Sequence, residues 1–176
     1  MSAKTPSVTI ELPPPHSEIQ KKIMQSFLEP DGPEEVFVSC GTKFGKTLAC
    51  NVALGAAMPR NPKTTWRWIA PYYSQSVIGY DNLRAILPKQ YTKCRKSNMQ
   101  IEIPSIEAVC KFSHAQNAEQ LEGHQIHGYV IDEAAKVGEQ VYYSCRTTVT
   151  RTRSVGMGKF LIPSTPVGRN WFYRLC

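Results

Sequence analysis

The 176-residue sequence has no apolar run as long as a membrane helix, and its N-terminus "MSAKTPSVT" lacks the apolar core of a secretory signal. A membrane-spanning helix needs roughly 20 mainly apolar residues, and a signal peptide needs a shorter apolar core behind a basic start. The sequence therefore predicts no membrane partner. We expect the protein to act in the cytoplasm.

The six cysteines contain no C-x-x-C pair. A disulfide framework and a zinc ribbon are therefore not expected, and the cysteines are interpreted as small apolar residues in a reducing compartment. Cys110, His114, His124 and His127 can be grouped as a zinc site, but their spacing matches no standard one. We therefore expect no zinc.

Acidic residues are scarce in two parts of the chain. The formal net charge is +7, and residues 61–100 carry seven basic side chains and one acidic, while 151–176 carry five basic and none acidic. A positive field of this kind favours a polyanion such as nucleic acid. A solvated basic surface is the alternative that composition leaves open.

Proline-rich "LPPP" ends residues 1–15, which are predicted to form an extended arm. From residue 16 to 176, helical patterns such as "HSEIQKKIMQSFLEP" alternate with short apolar strands such as "EEVFVSC", "TTWRWIAP" and "GYVIDEAA". "MQIEIPSIEAVCKFS" predicts a hairpin, and "GKFLIPSTP" a further strand. This alternation predicts one α/β domain with a mainly parallel central sheet flanked by helices on both faces.

The segment "GTKFGKT" follows a predicted strand and begins a predicted helix. Backbone N–H groups of a glycine-rich turn can surround a phosphate there, while Lys46 reaches its terminal oxygens and the Thr47 hydroxyl ligates Mg²⁺. The first glycine of the usual phosphate-loop pattern is here Cys40, a small residue that can pack between strand and loop. The predicted nucleotide contacts are Gly41, Thr42, Lys43, Phe44, Gly45, Lys46 and Thr47.

Two further strand ends carry polar side chains. The strand "YVI" ends in Asp132 and Glu133, which a nucleotide hydrolase needs to hold Mg²⁺ and to polarise the attacking water. The strand "FLIP" ends in Ser164 and Thr165, where hydroxyl groups near a γ-phosphate can couple hydrolysis to movement. An exposed acid pair and an ordinary Ser-Thr-Pro turn are the plainer alternatives.

Four aromatic residues on and after the second strand, Trp66, Trp68, Tyr72 and Tyr73, lie in a basic neighbourhood. Stacking on nucleic-acid bases is one interpretation. Because they belong to a central strand and its end, packing in the core is the favoured one.

The elements "GTKFGKT", "IAPYYSQ", "VIDEAA" and "STPVGRNWFY", in this order, resemble the ATPase domain of the large terminase subunits of tailed bacteriophages. "PHSEIQ" resembles the adenine-contacting Q motif of that family, and the resemblance covers residues 16–173. It implies a P-loop NTPase fold of the ASCE type and a viral motor that hydrolyses ATP to package double-stranded DNA. It also implies a homo-oligomeric ring, portal protein and small terminase subunit as partners, and the host cytoplasm as location.

The resemblance also implies a role for each matching residue. Lys43 stands where many terminases have an arginine, and it would sense the γ-phosphate; an exposed loop lysine is the alternative. The remaining implied roles are adenine contact for Gln20, phosphate contact for Lys46, Mg²⁺ binding for Thr47 and Asp132, general-base catalysis for Glu133, and coupling for Ser164 and Thr165.

The sequence departs from the family at Glu122, where many terminases have a candidate arginine finger. A carboxylate cannot stabilise charge that develops on a phosphoryl group, so another basic residue substitutes or the finger is absent. Arg146, Arg151 and Arg153 are the nearest candidates, each with a plain surface role as its alternative.

The family usually has a lid and a nuclease domain after these motifs, and neither fits before Cys176. We therefore expect no nuclease activity from this chain. We also expect the chain to be an isolated domain, a fragment or the product of a split gene. Two alternatives to a packaging motor stay open at this point. One is a superfamily 2 helicase-like ATPase, and the other is a nucleotide-binding or interaction module without hydrolysis.

Overall fold

The computed structural model describes residues 10–116, 125–149 and 158–176. The strands in these ranges are β1 Glu35–Ser39, β2 Thr65–Ala70, β3 Lys93–Arg95, β4 Gln100–Ile103, β5 Ala108–His114, β6 Gly128–Ile131 and β7 Lys159–Ser164. The α-helices in the same ranges are α1 Glu18–Leu28, α2 Lys46–Ala57, α3 Tyr73–Ile86, α4 Glu139–Thr148 and α5 Trp171–Leu175.

The strands form one seven-stranded sheet in the order β1-β7-β6-β2-β5-β4-β3. The first five strands in this order, β1, β7, β6, β2 and β5, pair in parallel. Strands β4 and β3 then continue the sheet with antiparallel pairing. The predicted mainly parallel sheet and the hairpin are confirmed. Strand β3 was missed because it has three residues, all exposed, and no apolar alternation.

The strands β1, β7, β6 and β2 contribute alternate side chains to two cores, because successive residues of a strand point to opposite faces. In β2, Trp66 and Trp68 belong to the larger core, which the helices α1 to α3 cover, and Ile69 belongs to the smaller core under α4 and α5. Core packing is thus confirmed for both tryptophans, which are fully buried. It is wrong for Tyr72 and Tyr73, which lie beyond the strand at the start of α3 and are more than half exposed.

Helix α1 shows how local sequence positions an element. The Ser17 side chain accepts a hydrogen bond from the backbone N–H of Gln20 and caps the helix, while Ile23 and Phe27 are buried on its inner face. Residues 10–15 precede it without forming helix or strand, and Ile10 packs against the larger core. None of the helices in the described ranges is long and apolar enough to cross a membrane.

The sheet order brings three loops to one edge. Strand β7 lies between β1 and β6, and all three are parallel, so their carboxyl ends meet. The phosphate-loop segment follows β1, the acid pair follows β6, and Thr165 follows β7. The fold therefore assembles the candidate site from segments that are far apart in the sequence.

Candidate functional site

Lys46 is the first residue of α2, and its ammonium group lies across the preceding loop. It donates hydrogen bonds to the backbone oxygens of Cys40, at 3.3 Å, and Gly41, at 2.9 Å, and to the Thr165 hydroxyl, at 3.0 Å. The residue is 6% exposed. The end of β7 and the loop after β1 thus share one buried cation.

Gly45 has a backbone conformation that favours glycine. Its φ is 74°, in the left-handed region, and a Cβ atom there would lie 2.4 Å from Nε2 of Gln20. The Gln20 side chain in turn donates to the backbone oxygen of Phe44 at 3.5 Å and accepts from the backbone N–H of His16 at 2.7 Å. Helix α1 therefore braces the loop, and adenine contact by Gln20 stays a prediction.

The tip of the loop faces solvent. Gly41, Thr42, Lys43 and Phe44 are exposed, and Lys43 has a left-handed φ of 64°. Cys40 packs against the larger core, as predicted from its size, and burial raises the pKa of its thiol. The γ-phosphate role of Lys43 stays a prediction.

Asp132 and Thr47 come together at the base of the site. The Thr47 hydroxyl oxygen lies 3.3 Å and 3.4 Å from the two carboxylate oxygens of Asp132, which is 3% exposed. The pKa of Asp132 is raised to about 6, first by burial and then by the nearby Glu133 carboxylate. Hydrogen bonds from the Glu133 N–H and from Thr47, and the charge of Lys46, partly oppose this increase. A cation bound here would favour the ionised form.

These two side chains fit Mg²⁺. The ion prefers oxygen ligands, usually one or two carboxylates together with waters and substrate phosphates. Within the described ranges, no group of three or more His, Cys, Asp or Glu side chains could hold a metal ion by itself. Of the residues considered for zinc, Cys110 is fully buried, the His127 imidazole Nδ1 accepts from the Thr65 N–H, and His124 lies outside the described residues.

Glu133 follows Asp132 in a left-handed conformation, with φ 49°. Its Oε2 is buried without a hydrogen-bond partner and lies 3.4 Å from Nζ of Lys136, at ion-pair distance. Sequence reasoning missed Lys136. The sequence pattern that could have revealed it is a lysine three residues after Glu133, a spacing that allows an ion pair within one turn.

The turn after Glu133, residues 134–137, is tied to the end of β7 and the start of α5. The Ala135 N–H donates to the Ser164 hydroxyl at 2.9 Å, and the Asn170 side chain donates to the Ala135 carbonyl at 2.8 Å. The Trp171 indole N–H donates to the Val137 carbonyl at 2.7 Å. Asn170 and Trp171 belong to the "GRNWFY" stretch, to which the sequence alone gave no role in the site.

Of the candidate arginine fingers, only Arg146 lies within the described residues, and it is paired away from this site. Arg146 lies 2.9 Å from the Glu35 carboxylate at the first residue of β1, the opposite edge of the sheet from the loop. Glu122, Arg151 and Arg153 lie outside the described residues.

No protein-family model matches the sequence, and no curated protein matches it significantly. Solved structures do match its fold. The ATPase domain of the large terminase of Thermus phage P74-26 has a TM-score of 0.72 at 23% identity, over 92% of this chain and 68% of that one. The large terminase of another phage, a thermophilic bacteriophage, has a TM-score of 0.74 at 15% identity, over 93% of this chain and 42% of that one.

The second of these terminases has also been solved in complex with ADP and with ATP-gamma-S. A DEAD box protein from Methanococcus jannaschii matches less well, with a TM-score of 0.60 at 13% identity over 86% of this chain and 44% of that one. The P-loop fold that the sequence predicted is confirmed. This chain has the fold of the ATPase domain of phage large terminases.

Proposed function

We propose that this chain is the ATPase motor domain of a viral DNA-packaging terminase, which hydrolyses ATP to move double-stranded DNA into a procapsid. The observation that carries the proposal is the contact of Thr47 with Asp132. It joins the phosphate-loop segment after β1 to the acid pair at the end of β6, two strands along the sheet, with Lys46 buried beside them. The terminase fold supports the same function.

Different residues of the chain carry out phosphate binding, water activation and Mg²⁺ binding in this proposal. Backbone N–H groups of the loop, at the N-terminus of α2, bind the phosphates, and Lys46 exchanges a loop carbonyl for a phosphate oxygen. Glu133 orients and polarises the attacking water. Thr47 and Asp132 hold Mg²⁺, which when bound offsets negative charge on the phosphate oxygens.

We propose that the end of β7 couples hydrolysis to movement. The Thr165 hydroxyl contacts Lys46, and the Ser164 hydroxyl contacts the backbone of the turn behind Glu133. A movement of the Lys46 ammonium group would therefore be passed on to the turn after Glu133 through one short segment, Ser164 and Thr165. Hinge-like movement of this segment is the coupling step that we propose.

The proposed partners follow from a packaging motor. They are double-stranded DNA, further copies of this chain in a ring, a portal protein and a small terminase subunit, in the cytoplasm of the host. The basic excess of the chain, +7, supports the nucleic-acid partner.

Steady-state ATP turnover, with and without duplex DNA and at protein concentrations that allow self-association, tests the proposal. Glu133→Gln should lower kcat by at least about 100-fold, the usual contribution of a general base, while a fluorescent ATP analogue still binds. Glu11→Gln, a change at an exposed carboxylate, is the matched control. Turnover by Glu133→Gln at the wild-type rate would show that Glu133 is not the general base.

A second candidate function is a helicase-like ATPase, which the DEAD box similarity favours. A strand-displacement assay separates the two, since a packaging motor moves along duplex DNA without opening it. ATP-dependent unwinding would favour the helicase. If the wild-type chain binds ATP but shows no turnover with DNA at any concentration, it is a nucleotide-binding module instead.

A further inference from the structure

The antiparallel end of the sheet has one apolar face and one polar face. Ile101 and Ile103 of β4 and Cys110 and Phe112 of β5 are buried in the larger core. The side chains between them point the other way, because strand residues alternate. On this opposite face lie Lys93, Arg95, Gln100, Glu102, Lys111 and Arg67.

The strand register aligns four of these residues in one row. Arg95 pairs with Gln100, Gln100 pairs with Lys111, and Lys111 pairs with Arg67. Neighbouring strands are about 4.8 Å apart, so the row is roughly 14 Å long. We call Arg67, Lys93, Arg95 and Lys111 the basic face.

The basic face is poorly compensated by acids. Glu102 lies 3.5 Å from Arg95 and opposite Lys93 in register. Among the described residues, the ion pairs include none with Lys93, Lys111 or Arg67. The face thus keeps an excess of positive charge.

Two of the cations are placed unfavourably for the fold itself. Arg67 and Lys111 are direct cross-strand partners, and like charges in that relation destabilise a sheet. The Arg67 Nε is buried without a hydrogen-bond partner, and burial lowers the pKa of its guanidinium group. An anion that binds here would relieve both costs.

Protection of a sheet edge is the simpler explanation for basic residues on an exposed strand. It accounts for Lys93 and Arg95, which lie on the outermost strand β3. It does not account for Lys111 on β5 or Arg67 on β2, which are interior strands with neighbours on both sides. The interior pair therefore points to a ligand.

We propose that the basic face binds the phosphate backbone of duplex DNA, an inference that rests on the proposed motor function. Lysine and arginine side chains that contact phosphates carry no sequence information. A motor that moves along any sequence requires contacts of this kind. The duplex carries one negative charge per about 1.7 Å of its axis, so a row of this length faces several phosphates.

The test compares two double charge reversals that change net charge equally. Lys93→Glu with Lys111→Glu alters the basic face, and Lys21→Glu with Lys22→Glu alters exposed residues of α1. Binding of a 30-base-pair duplex is followed by fluorescence anisotropy over a range of KCl concentrations. The first variant should lose at least about tenfold in affinity, and its salt slope should fall by nearly two, since each phosphate contact contributes about 0.9. The second should keep the wild-type slope.

Equal losses in both variants would show that net charge alone attracts DNA, and no loss in the first would show that DNA binds elsewhere; either result overturns the inference. A circular-dichroism melt checks folding. If the double variant does not fold, Lys93→Gln and Lys111→Gln must each lower the slope by about 0.9, and unchanged slopes overturn the inference. ATP turnover by the wild type and by the α1 control tests the motor function separately.

Discussion

Thr47 and Asp132 are 85 residues apart in the sequence, and the Thr47 hydroxyl oxygen lies 3.3 Å from a carboxylate oxygen of Asp132. The contact connects the start of α2 with the end of β6. It exists because β1, β7 and β6 are parallel neighbours whose carboxyl ends meet at one edge.

Lys136→Met should lower kcat for ATP while leaving KM unchanged. The Glu133 Oε2 has no hydrogen bond, and the ion pair with Lys136 at 3.4 Å restrains it. Partly exposed ion pairs contribute up to about 1 kcal/mol, so the loss should be about two- to fivefold. Lys136→Arg keeps the charge and should restore most of the rate. An unchanged kcat in Lys136→Met would show that Lys136 does not position the base.

Asn170→Ala and Asn170→Asp separate two contacts of one side chain. Its amide N–H donates to the Ala135 carbonyl, and its Oδ1 accepts from the Tyr173 N–H and caps α5. Aspartate keeps the cap and loses the donor. Both variants should lower kcat, and alanine, which also loses the cap, should be about 1 kcal/mol less stable than aspartate in urea unfolding. Full activity in Asn170→Asp would show that the tie to Ala135 is not needed for turnover.

Asp132→Asn should raise the thermal stability of the nucleotide-free protein and abolish Mg²⁺-dependent turnover. The carboxylate is 3% exposed and its pKa is raised to about 6, so its charge is unfavourable in the fold at neutral pH. Removing it should stabilise by roughly 1–3 kcal/mol, measured by calorimetry at pH 7.5. The gain should shrink as the pH falls below 6, where the wild-type group is protonated. A lower melting temperature for the variant at pH 7.5 would contradict this account.

His127 should make the fold sensitive to mild acid. Burial lowers the pKa of its imidazole below 6.5, and its Nδ1 accepts from the Thr65 N–H, which requires the neutral form. The unfolded chain then binds the proton more readily, so this contribution is complete above pH 6.5 and is lost as the pH falls through the lower folded pKa. Asp132 acts in the opposite direction, because its folded pKa is raised.

His127→Asn isolates the histidine from Asp132. The asparagine Oδ1 replaces Nδ1 as acceptor and does not titrate. The melting temperature of the wild type minus that of the variant should decrease from pH 7.5 to pH 5. A constant difference across that range would show that His127 does not cause the loss of stability in acid.

Much of the fold was predictable because its signals are local. The apolar strands, the helical spacing of Ile23 and Phe27, and the glycine turn before Lys46 are read within a few residues. Strand β3 was not predictable, since it exists through pairing with β4. The exposure of Tyr72 and Tyr73 depends on where β2 ends and α3 begins, and boundaries are the weakest part of a pattern.

The sequence by itself determined the class of fold and the residue types of the candidate site, because alternating periodicity and the Gly-Lys-Thr turn depend on backbone geometry close to each residue. Only the tertiary structure decided which side chains meet. The pairing of Arg146 with Glu35, the tie of Asn170 to Ala135 and the row from Arg95 to Arg67 all depend on strand order and register. Those are set by the packing of the whole sheet against two layers of helices, which no short stretch of sequence contains.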